Sequence, residues 1–408
     1  MIRATATTAV DQALLSALNL SLALIVIHFA GKQEYGLYTQ LLNLQPLFSP
    51  VHAGLFASAY LALASRMNSS RRAEYCAGMA RAELLLTVAS AIAIVAICLL
   101  GSRALTAPLT ITSCVALAVS TLSLWWREFA RQIAFAAQRF DQALHIDFVY
   151  VLVTCASLGG AIFTIEMSAS VTLWCLGLGG AAAAAAPLYH AFRGSQVSAS
   201  SVRRDVEASW SVGKWESLGS IVTWGYAQSY VYFAAFHGGL EGAAEISASR
   251  LLATPLSLMW AAYANVLRPR ASLILANGSA QEGHRLANRS AVFVVASSAA
   301  YAMLVLALLP VLERTLFAGT FQHLRPLAMC WIAYTALTGL TTIAASVLRS
   351  ALKFRQVLFR HVISCAVAII LLMATLRLEA LTSIVIALCI TEALSVFLFW
   401  RAMRRALL

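Results

Sequence analysis

Polar and ionisable side chains recur at helical spacing inside four apolar stretches of this sequence, so that each stretch carries them on one face. Burying an isolated charge in lipid costs about 2.5 kcal/mol or more, so these faces predict a shared aqueous cavity instead of a lipid-facing surface. The four faces are Asp11, Gln12, Ser16 and Asn19; Gln45, Ser49 and His52; Lys214, Ser217, Ser220, Trp224 and Gln228; and Ser247, Arg250, Thr254 and Ser257.

Two cations on these faces are candidates for binding an anionic group such as a phosphate. Lys214 is predicted near the cytoplasmic end of its helix and Arg250 near the outer end of the next helix, which suits a ligand that passes between the two sides. Arg offers a planar fork of N–H donors, and Lys offers a compact charge. Lys214 could instead pair with Glu216 or extend to the lipid headgroups. Arg250 could instead pair with Glu245.

Asp11, His52 and Glu392 each allow two interpretations. Asp11 either lines the cavity or is a paired carboxylate near the cytoplasmic interface, and His52 is either a proton relay or a hydrogen-bonded packing residue. Glu392, in the last apolar stretch, is the candidate site for a coupling proton or cation; the alternative is an interhelical hydrogen bond to Ser or Thr. Arg81 and Glu83 are expected to close the cytoplasmic face through local ion pairs.

Apolar stretches of membrane-spanning length occur along the whole chain. Of its 408 residues, 61% are hydrophobic and 11% are charged, and the mean hydropathy is +0.79. A helix of about 20 apolar residues crosses roughly 30 Å of hydrocarbon, so we predict an all-α polytopic membrane protein. The twelve predicted spans are 8–30, 36–64, 77–100, 106–127, 146–165, 169–191, 209–236, 243–266, 290–313, 323–347, 357–376 and 380–400.

The positions of Lys and Arg predict the orientation of these spans. Twenty-one cations lie in alternate loops and at the chain ends, against five in the other set of loops. Cytoplasmic loops are enriched in Lys and Arg, so both termini are expected in the cytoplasm.

Two further features concern the helices themselves. Pro46 and Pro50 lie inside span 2 and Pro255 lies inside span 8, so a kink is predicted in each of these helices. The kinked helices could act as gates, or the kinks could be static irregularities of packing. The segments 126–140 and 348–360 mix Arg with aromatic residues and are expected to anchor among the headgroups.

The two halves of the chain resemble each other. The segment 137–144 recurs as 351–358, about half the chain further on, and 45–47 matches 254–256 at a similar offset. Chance similarity between apolar sequences is the alternative. Six spans separate the partners, so the halves are expected to be parallel repeats about a pseudo-two-fold axis normal to the membrane. The predicted domains are six-span lobes at 1–195 and 209–408, joined by a cytoplasmic linker at 196–208.

The motifs of common enzymes and of nucleic-acid-binding domains are missing from the sequence. It contains no HExxH, no GxSxG and no Walker Gly-Lys-Ser, and its net charge of +12 is spread over short loops. The eight cysteines are scattered singly, which is typical of packing residues. We therefore expect no enzymatic activity, no cofactor, no metal and no nucleic-acid partner.

Three segments near the start of the chain resemble a known family. They are Asp-Gln-Ala-Leu-Leu-Ser-Ala-Leu-Asn at 11–19, Gly-Lys-Gln-Glu-Tyr-Gly-Leu-Tyr-Thr-Gln at 31–40, and Arg-Glu-Phe-Ala-Arg at 127–131 with Phe-Ala-Ala-Gln-Arg at 135–139. Together with the layout of the spans, they resemble the polysaccharide transporters, which are the O-antigen and exopolysaccharide flippases of the multidrug/oligosaccharidyl-lipid/polysaccharide (MOP) exporter superfamily.

This resemblance implies two six-helix lobes in a V, a central cavity lined by spans 1, 2, 7 and 8, and alternating access. The implied substrate is an undecaprenyl-diphosphate-linked glycan, which crosses the bacterial inner membrane from the cytoplasmic to the periplasmic leaflet. Lys214 and Arg250 would be the cavity cations that meet the diphosphate. Membrane lipids, a coupling proton or sodium ion, and polysaccharide polymerase or assembly proteins would be the partners.

Two other functions remain open from the sequence. A multidrug or cation antiporter of the same superfamily would favour an acidic, aromatic-lined cavity over one with Lys214 and Arg250. A membrane enzyme of glycan assembly, such as a polymerase or an acyltransferase, would need a large outer loop or an intramembrane His/Asp pair.

Overall fold

The computed structural model describes residues 2–64, 67–101, 109–137, 139–193, 197–276, 280–315, 317, 321, 324–351, 353–378 and 380–407, with the backbone alone at some helical positions. These residues form helices joined by short connections. The helices are α1 Ile2–Phe29, α2 Gly31–Phe48, α3 Pro50–His52, α4 Tyr60–Ala64, α5 Ser69–Gly101, α6 Ile111–Ala136, α7 Phe140–Thr164, α8 Ala169–Arg193, α9 Ala199–Ala227, α10 Tyr230–Leu251, α11 Thr254–Ala276, α12 Ala280–Thr315, α13 Leu324–Ser350, α14 Phe354–Thr375 and α15 Leu381–Leu407. A π-helical segment, Ala53–Ala59, joins α3 to α4.

The predicted all-helical, polytopic architecture is confirmed. Among the described residues, seven helices are long and apolar enough to cross a membrane: α5, α7, α8 and α12 to α15. The other five predicted spans, numbers 1, 2, 4, 7 and 8, are also helical but are more polar or interrupted. Four of these five spans, numbers 1, 2, 7 and 8, carry the polar faces. The spans that are least apolar are therefore mostly those that carry the candidate site residues.

Spans 2 and 8 are interrupted close to their prolines. Ser49 separates α2 from α3, and Pro50 occupies the start of α3. Leu252–Ala253 separates α10 from α11, just before Pro255. Proline has no N–H to donate and is tolerated in the first turn of a helix, so a helix restarts there with little cost. Pro46 lies inside α2 without ending it.

Two glycines with positive φ reverse the chain direction. Gly31, with φ 86°, is the first residue of α2 and directly follows the connection from α1 at Ala30. Inside α10, Gly238 and Gly239 leave helical geometry, and Gly239 has φ 61° and ψ −155°. That conformation is open almost only to glycine, because a Cβ atom would meet the backbone. Predicted spans 7 and 8 therefore meet inside α10, which consists of two helical pieces.

The repeat seen in the sequence extends to backbone hydrogen bonds. These bonds recur at the offset of the sequence repeat in the connections α6–α7 and α13–α14, and α7 and α14 begin at the equivalent Phe140 and Phe354. In both halves the fourth span packs along the sixth, α6 on α8 and α13 on α15. The paired bonds, donor first, are Ala137 to Ile133, Arg139 to Ala134, Gln142 to Arg139 and Ala143 to Arg139, against Ala351 to Val347, Lys353 to Leu348, Gln356 to Lys353 and Val357 to Lys353.

Contacts divide the chain into two compact units, Met1–Ile221 and Val222–Leu408, with the boundary inside α9. Much of the predicted linker 196–208 is helical and packs in the first unit against α5. The lobe boundaries at 195 and 209 stay predictions. The contacts of this segment are the ion pair of Arg71 with Asp205, the hydroxyls of Tyr75 and Ser209 at 2.6 Å, and a 2.7 Å hydrogen bond from Arg81 to the Val197 carbonyl.

Each unit has an aromatic core of its own. In the first unit Tyr60 stacks on Tyr75 with centroids 5.3 Å apart, and Phe129 packs edge-on against Tyr60. In the second unit Trp331 lies against Tyr230 and is 1% exposed. Such rings bury large apolar areas, so they stabilise each unit from within.

Candidate functional site

A reversal of the chain builds the surroundings of Arg250. Arg250 lies in the last turn of α10, and Tyr230 is its first residue, so a straight helix would place the two about 30 Å apart. The turn at Gly238 and Gly239 brings them together instead. Arg250 Nη1 donates to the Tyr230 hydroxyl at 2.8 Å and to Gln228 Oε1 at 3.1 Å.

Aromatic rings from two helices face the guanidinium group. The central carbon of Arg250 lies 5.0 Å from the ring centroid of Tyr230 and 5.2 Å from that of Trp331 in α13. Trp331 is held in place because its Nε1 donates to the Ile246 carbonyl at 3.1 Å, and Tyr334 packs edge-on against it at 5.4 Å. A guanidinium over such faces gains roughly 0.5 to 2 kcal/mol. We call Arg250, Gln228, Tyr230 and Trp331 the Arg250 site.

The Arg250 site has the chemistry of an anion receptor. The contacts just described are all with neutral groups, and both hydrogen bonds use Nη1. A guanidinium has five N–H donors in a fixed fork. Among the described residues, Nε and Nη2 make no hydrogen bond, so these donors can meet a further acceptor. Arg250 is partly exposed, which leaves a route for such an acceptor.

Asp11 belongs to a buried charge network in the first unit. Arg131 of α6 lies 3.0 Å from Asp11 and 2.8 Å from Asp147 of α7, and Arg127 lies 2.6 Å from Asp147. Asp147 is 0% exposed, and the Arg127 guanidinium also lies 4.0 Å from the Tyr150 ring centroid. Two arginines thus compensate two buried carboxylates and tie α1, α6 and α7 together. We call these four charged residues the Arg131 network.

The Arg131 network corrects the expectation for segment 126–140. Its arginines were expected to anchor at the headgroups. Arg127 is instead buried and Arg131 is half-buried, both in ion pairs, and Trp126 donates to Thr87 at 2.7 Å; Arg139 is exposed. The physical reason is that Asp147, at the start of predicted span 5, offers a buried partner. The rule that flags ionisable residues inside spans would have identified Asp147 as well.

His52 lies against a carboxylate from another helix. Its Nε2 is 3.1 Å from Oε1 of Glu83 in α5, and the side chains are 4% and 2% exposed. The His52 ring stacks on Trp125 at 5.1 Å and on Phe56 at 5.7 Å. The expectation that Glu83 closes the cytoplasmic face through a local ion pair was wrong, because folding buries it against α3.

The remaining candidates of the first unit occupy different environments. Gln45 is buried and donates to Ser120 Oγ at 3.0 Å. Asn19 is exposed. Lys214 is also exposed, with its Nζ 5.7 Å from the Trp215 ring centroid. The side chain of Gln12 lies outside the described residues, as does that of Glu216, the alternative partner of Lys214.

Four other candidate residues lie in the second unit, and one of them belongs to the Arg250 site. Gln228 is part of that site. Trp224 packs near Tyr232 at 6.1 Å between ring centroids, and Thr254 is exposed. Glu392 in α15 is 0% exposed, and in the described part of the chain neither of its carboxylate oxygens has a hydrogen-bond partner.

The comparisons with known proteins identify the fold. No protein-family model and no curated protein matches the sequence. An inward-facing multidrug resistance MATE family transporter of the MOP superfamily superposes with a TM-score of 0.79 at 12% identity, over 96% of this chain and 94% of that one. The chain has the MATE transporter fold. With this fold and its apolar helices, it is a multi-pass membrane protein.

Two further solved structures share the MATE fold with this chain. The lipid II flippase MurJ, in an inward closed conformation, gives a TM-score of 0.74 at 12% identity, over 99% of this chain and 88% of that one. A MOP superfamily transporter from Pyrococcus furiosus Vc1, whose reversed binding-pocket polarity suggests a different function, gives 0.71 at 11% identity, over 100% and 95%. At such identities the likeness concerns the fold, and the fold does not by itself determine the substrate.

Proposed function

We propose that this protein is a flippase that moves an undecaprenyl-diphosphate-linked oligosaccharide from the cytoplasmic to the periplasmic leaflet by alternating access. The observation that carries the proposal is the Arg250 site. It presents a partly exposed guanidinium whose described contacts are all neutral. A charge held in this way is stabilised further when a phosphate provides the missing negative charge.

The rings of the Arg250 site hold the guanidinium in place. Tyr230 and Trp331 are 2% and 1% exposed, so they support Arg250 from the core, while the partly exposed Arg250 side chain meets the ligand. Lys214, exposed on α9, is proposed as a second phosphate contact, and Asn19, Trp224 and Thr254 as lining residues.

The coupling ion, the membrane and the partners are part of the same proposal. Glu392 is proposed as a coupling site for a proton or sodium ion, because a buried carboxylate without a donor is costly unless a cation or proton neutralises it. The excess of cations in alternate loops supports an orientation with both termini in the cytoplasm, and the bacterial inner membrane is proposed together with the substrate. Polysaccharide polymerase and assembly proteins would act on the exported glycan.

A multidrug antiporter is the second candidate. The multidrug resistance MATE family transporter that shares this fold supports it. A cationic drug would need negative charge in the cavity. The charge described at the Arg250 site is positive, which favours an anionic substrate over a cationic one.

Transport by purified protein in liposomes tests the proposal. The probe is undecaprenyl-diphosphate N-acetylglucosamine with a fluorophore on the sugar, and the measurement is the rate at which an outside quencher gains access to it. We expect Arg250→Ala to lower this rate about tenfold or more, since hydrogen bonds to a charged group contribute roughly 1.5 to 3 kcal/mol. Arg250→Lys keeps the charge without the fork, so its rate should lie between the two.

The matched control is Arg203→Ala, which removes an exposed arginine of α9 that pairs with Glu207. This variant should transport at the rate of the unchanged protein. Full transport by correctly folded Arg250→Ala protein would contradict the role of the Arg250 site. Ethidium efflux from the same liposomes, without movement of the lipid probe, would favour the antiporter.

A further inference from the structure

Among the described residues, the side chain of His52 is the partner that the Glu83 carboxylate meets. The two side chains come from α3 and α5, and both are almost fully buried in the first unit. In the described part of the chain, neither Glu83 oxygen has a regular hydrogen bond, so the imidazole at 3.1 Å is the group that compensates the carboxylate. A carboxylate buried without compensation is strongly disfavoured, which makes the proton content of this pair energetically important.

The walls around the pair are neutral. Trp125 of α6 and Phe56 of the π-helical segment both stack on the imidazole. Trp125 is fixed in turn, because its Nε1 donates to Ser49 Oγ at 2.8 Å.

The titratable groups on the surrounding elements have contacts of their own. They include Arg81 of α5, which donates to the Val197 carbonyl; Arg71 of α5, which pairs with Asp205 of α9; Arg127 of α6, which pairs with Asp147; Arg131 of α6, which pairs with Asp11 and Glu128; Tyr60 of α4, which stacks on Tyr75; Arg193 of α8, which lies over Tyr189; and Lys214 of α9, which is exposed.

The number of protons held by the pair determines its net charge. With one proton shared between His52 and Glu83, the pair is neutral overall and is compatible with aromatic walls. Release of that proton to water leaves a neutral imidazole beside a carboxylate, with a net charge of −1. The deprotonated pair therefore favours a conformation in which water reaches the carboxylate, and the protonated pair favours the closed arrangement seen here.

The backbone at this position departs from regular α-helix. His52 directly precedes the π-helical segment Ala53–Ala59 and follows the interruption at Ser49 and Pro50. Wide turns of this kind are weaker than α-helix and are common at functional sites. A change in hydration at His52 would thus act on the least regular part of span 2.

We propose that His52 and Glu83 form a proton-binding site whose occupancy controls the conformation of Ser49–Tyr60. The site makes the first unit responsive to protons, and its use in transport rests on the proposed flippase function. In the cycle, one proton enters from the aqueous phase on one side, is shared between imidazole and carboxylate, and leaves to water when the segment opens. The proton is the ligand, and no other group is consumed.

Hydrogen exchange of the purified full chain tests the proposal with the proton itself as the probe. Amides of residues 49–60 are followed by mass spectrometry at pH 6 and pH 8, with labelling times scaled for the intrinsic effect of pH on exchange. We expect faster exchange of this segment at pH 8 in the unchanged protein, and no pH dependence in Glu83→Gln or His52→Gln. Exposed His28 provides the control, because His28→Gln should keep the full response.

Tryptophan fluorescence gives a second readout at the site. A protonated imidazole stacked on an indole quenches its emission, so the difference between the unchanged protein and Trp125→Phe should depend on pH. That pH dependence should disappear in Glu83→Gln and in His52→Gln. If His52→Gln does not fold, the result for Glu83→Gln alone decides the test. A pH response that persists in both variants, or that is missing from the unchanged protein, overturns the proposal.

Arg250→Ala separates this inference from the proposed function. Arg250 belongs to the second unit, and the pair belongs to the first. Arg250→Ala should therefore keep the pH response of residues 49–60 even where it stops transport of the lipid probe. A pH response together with wild-type transport by Arg250→Ala would overturn the substrate proposal and leave the proton site standing.

Discussion

At the scale of residues, the structure separates two kinds of arginine inside the helical bundles. Arg127 and Arg131 are compensated by Asp147 and Asp11, so their charges are used to hold α1, α6 and α7 together. Arg250 instead has an amide oxygen, a hydroxyl and two aromatic faces. The first arrangement is complete without a ligand, whereas the second can gain from an anion. Intramembrane charge alone does not distinguish them; the partners do.

The Arg131 network leads to a prediction about stability. Asp147→Asn removes the carboxylate that faces both Arg127 and Arg131. Arg131 keeps Asp11 and Glu128 as partners, so the buried charge left uncompensated is that of Arg127. Breaking a buried pair from one side typically costs about 3 to 5 kcal/mol. We expect a clear fall in the thermal unfolding temperature of the purified protein, measured by its intrinsic fluorescence.

Glu207→Gln is the matched control for Asp147→Asn. It also exchanges one carboxylate for an amide, but its partner Arg203 is exposed, so the unfolding temperature should barely change. Equal unfolding temperatures for the Asp147→Asn variant and the unchanged protein would show that the network is not needed for stability.

At the scale of elements, a close approach of two backbones fixes α9 against the π-helical segment. A Cβ atom added at Gly213 would overlap the Gly54 carbonyl oxygen, and one added at Gly54 would lie 2.7 Å from the Gly213 carbonyl oxygen. Both approaches are too close for any side chain, so only paired glycines allow this contact. The contact joins α9 to the segment whose conformation we assign to proton binding.

Gly213→Ala tests the importance of this contact. The added methyl group must push the helices apart, and such overpacking costs about 1 to 3 kcal/mol. We expect a lower thermal unfolding temperature and faster hydrogen exchange in Ala53–Ala59.

Gly219→Ala, on the same helix, is the matched control because an added Cβ meets nothing within 4 Å there. Alanine is favoured over glycine in a helix by up to about 1 kcal/mol, so this variant should be as stable as the unchanged protein or more stable. Identical behaviour of the two variants would argue against a specific role for the contact.

At the scale of the whole molecule, the repeat and the charge bias predict the topology. Both halves use the same connection between their fourth and fifth spans, displaced by about half the chain, as expected for a duplicated bundle. Arg-rich loops alternate with loops poor in cations, and this pattern orients the spans.

Reporter fusions test the orientation. Alkaline phosphatase fused after Glu166, between α7 and α8, should be active, because this connection is predicted on the periplasmic side. A fusion after Arg193, between α8 and α9, should be inactive and should give fluorescence with green fluorescent protein instead. The opposite pattern at both positions would invert the proposed direction of transport.

Several properties of the molecule follow from the sequence by itself. Composition and span length determined that the chain is helical and polytopic, and the similarity of 137–144 to 351–358 identified a repeat later seen in backbone hydrogen bonds. The prolines marked the interruptions of spans 2 and 8. These features depend on local chemistry, on transfer of side chains to lipid and on the missing N–H of proline, so they can be read along the chain.

The partners of the charged residues were decided by the tertiary structure alone. Glu83 meets His52, Arg131 meets Asp11 and Asp147, and Arg250 meets Tyr230 across a glycine reversal, although periodicity gives no sign of these pairs. Periodicity shows which face of a helix carries a polar group, but not which helix packs against that face. Whether a buried charge is satisfied or open to a ligand depends on that packing, because electrostatic compensation acts between atoms a few ångströms apart in space.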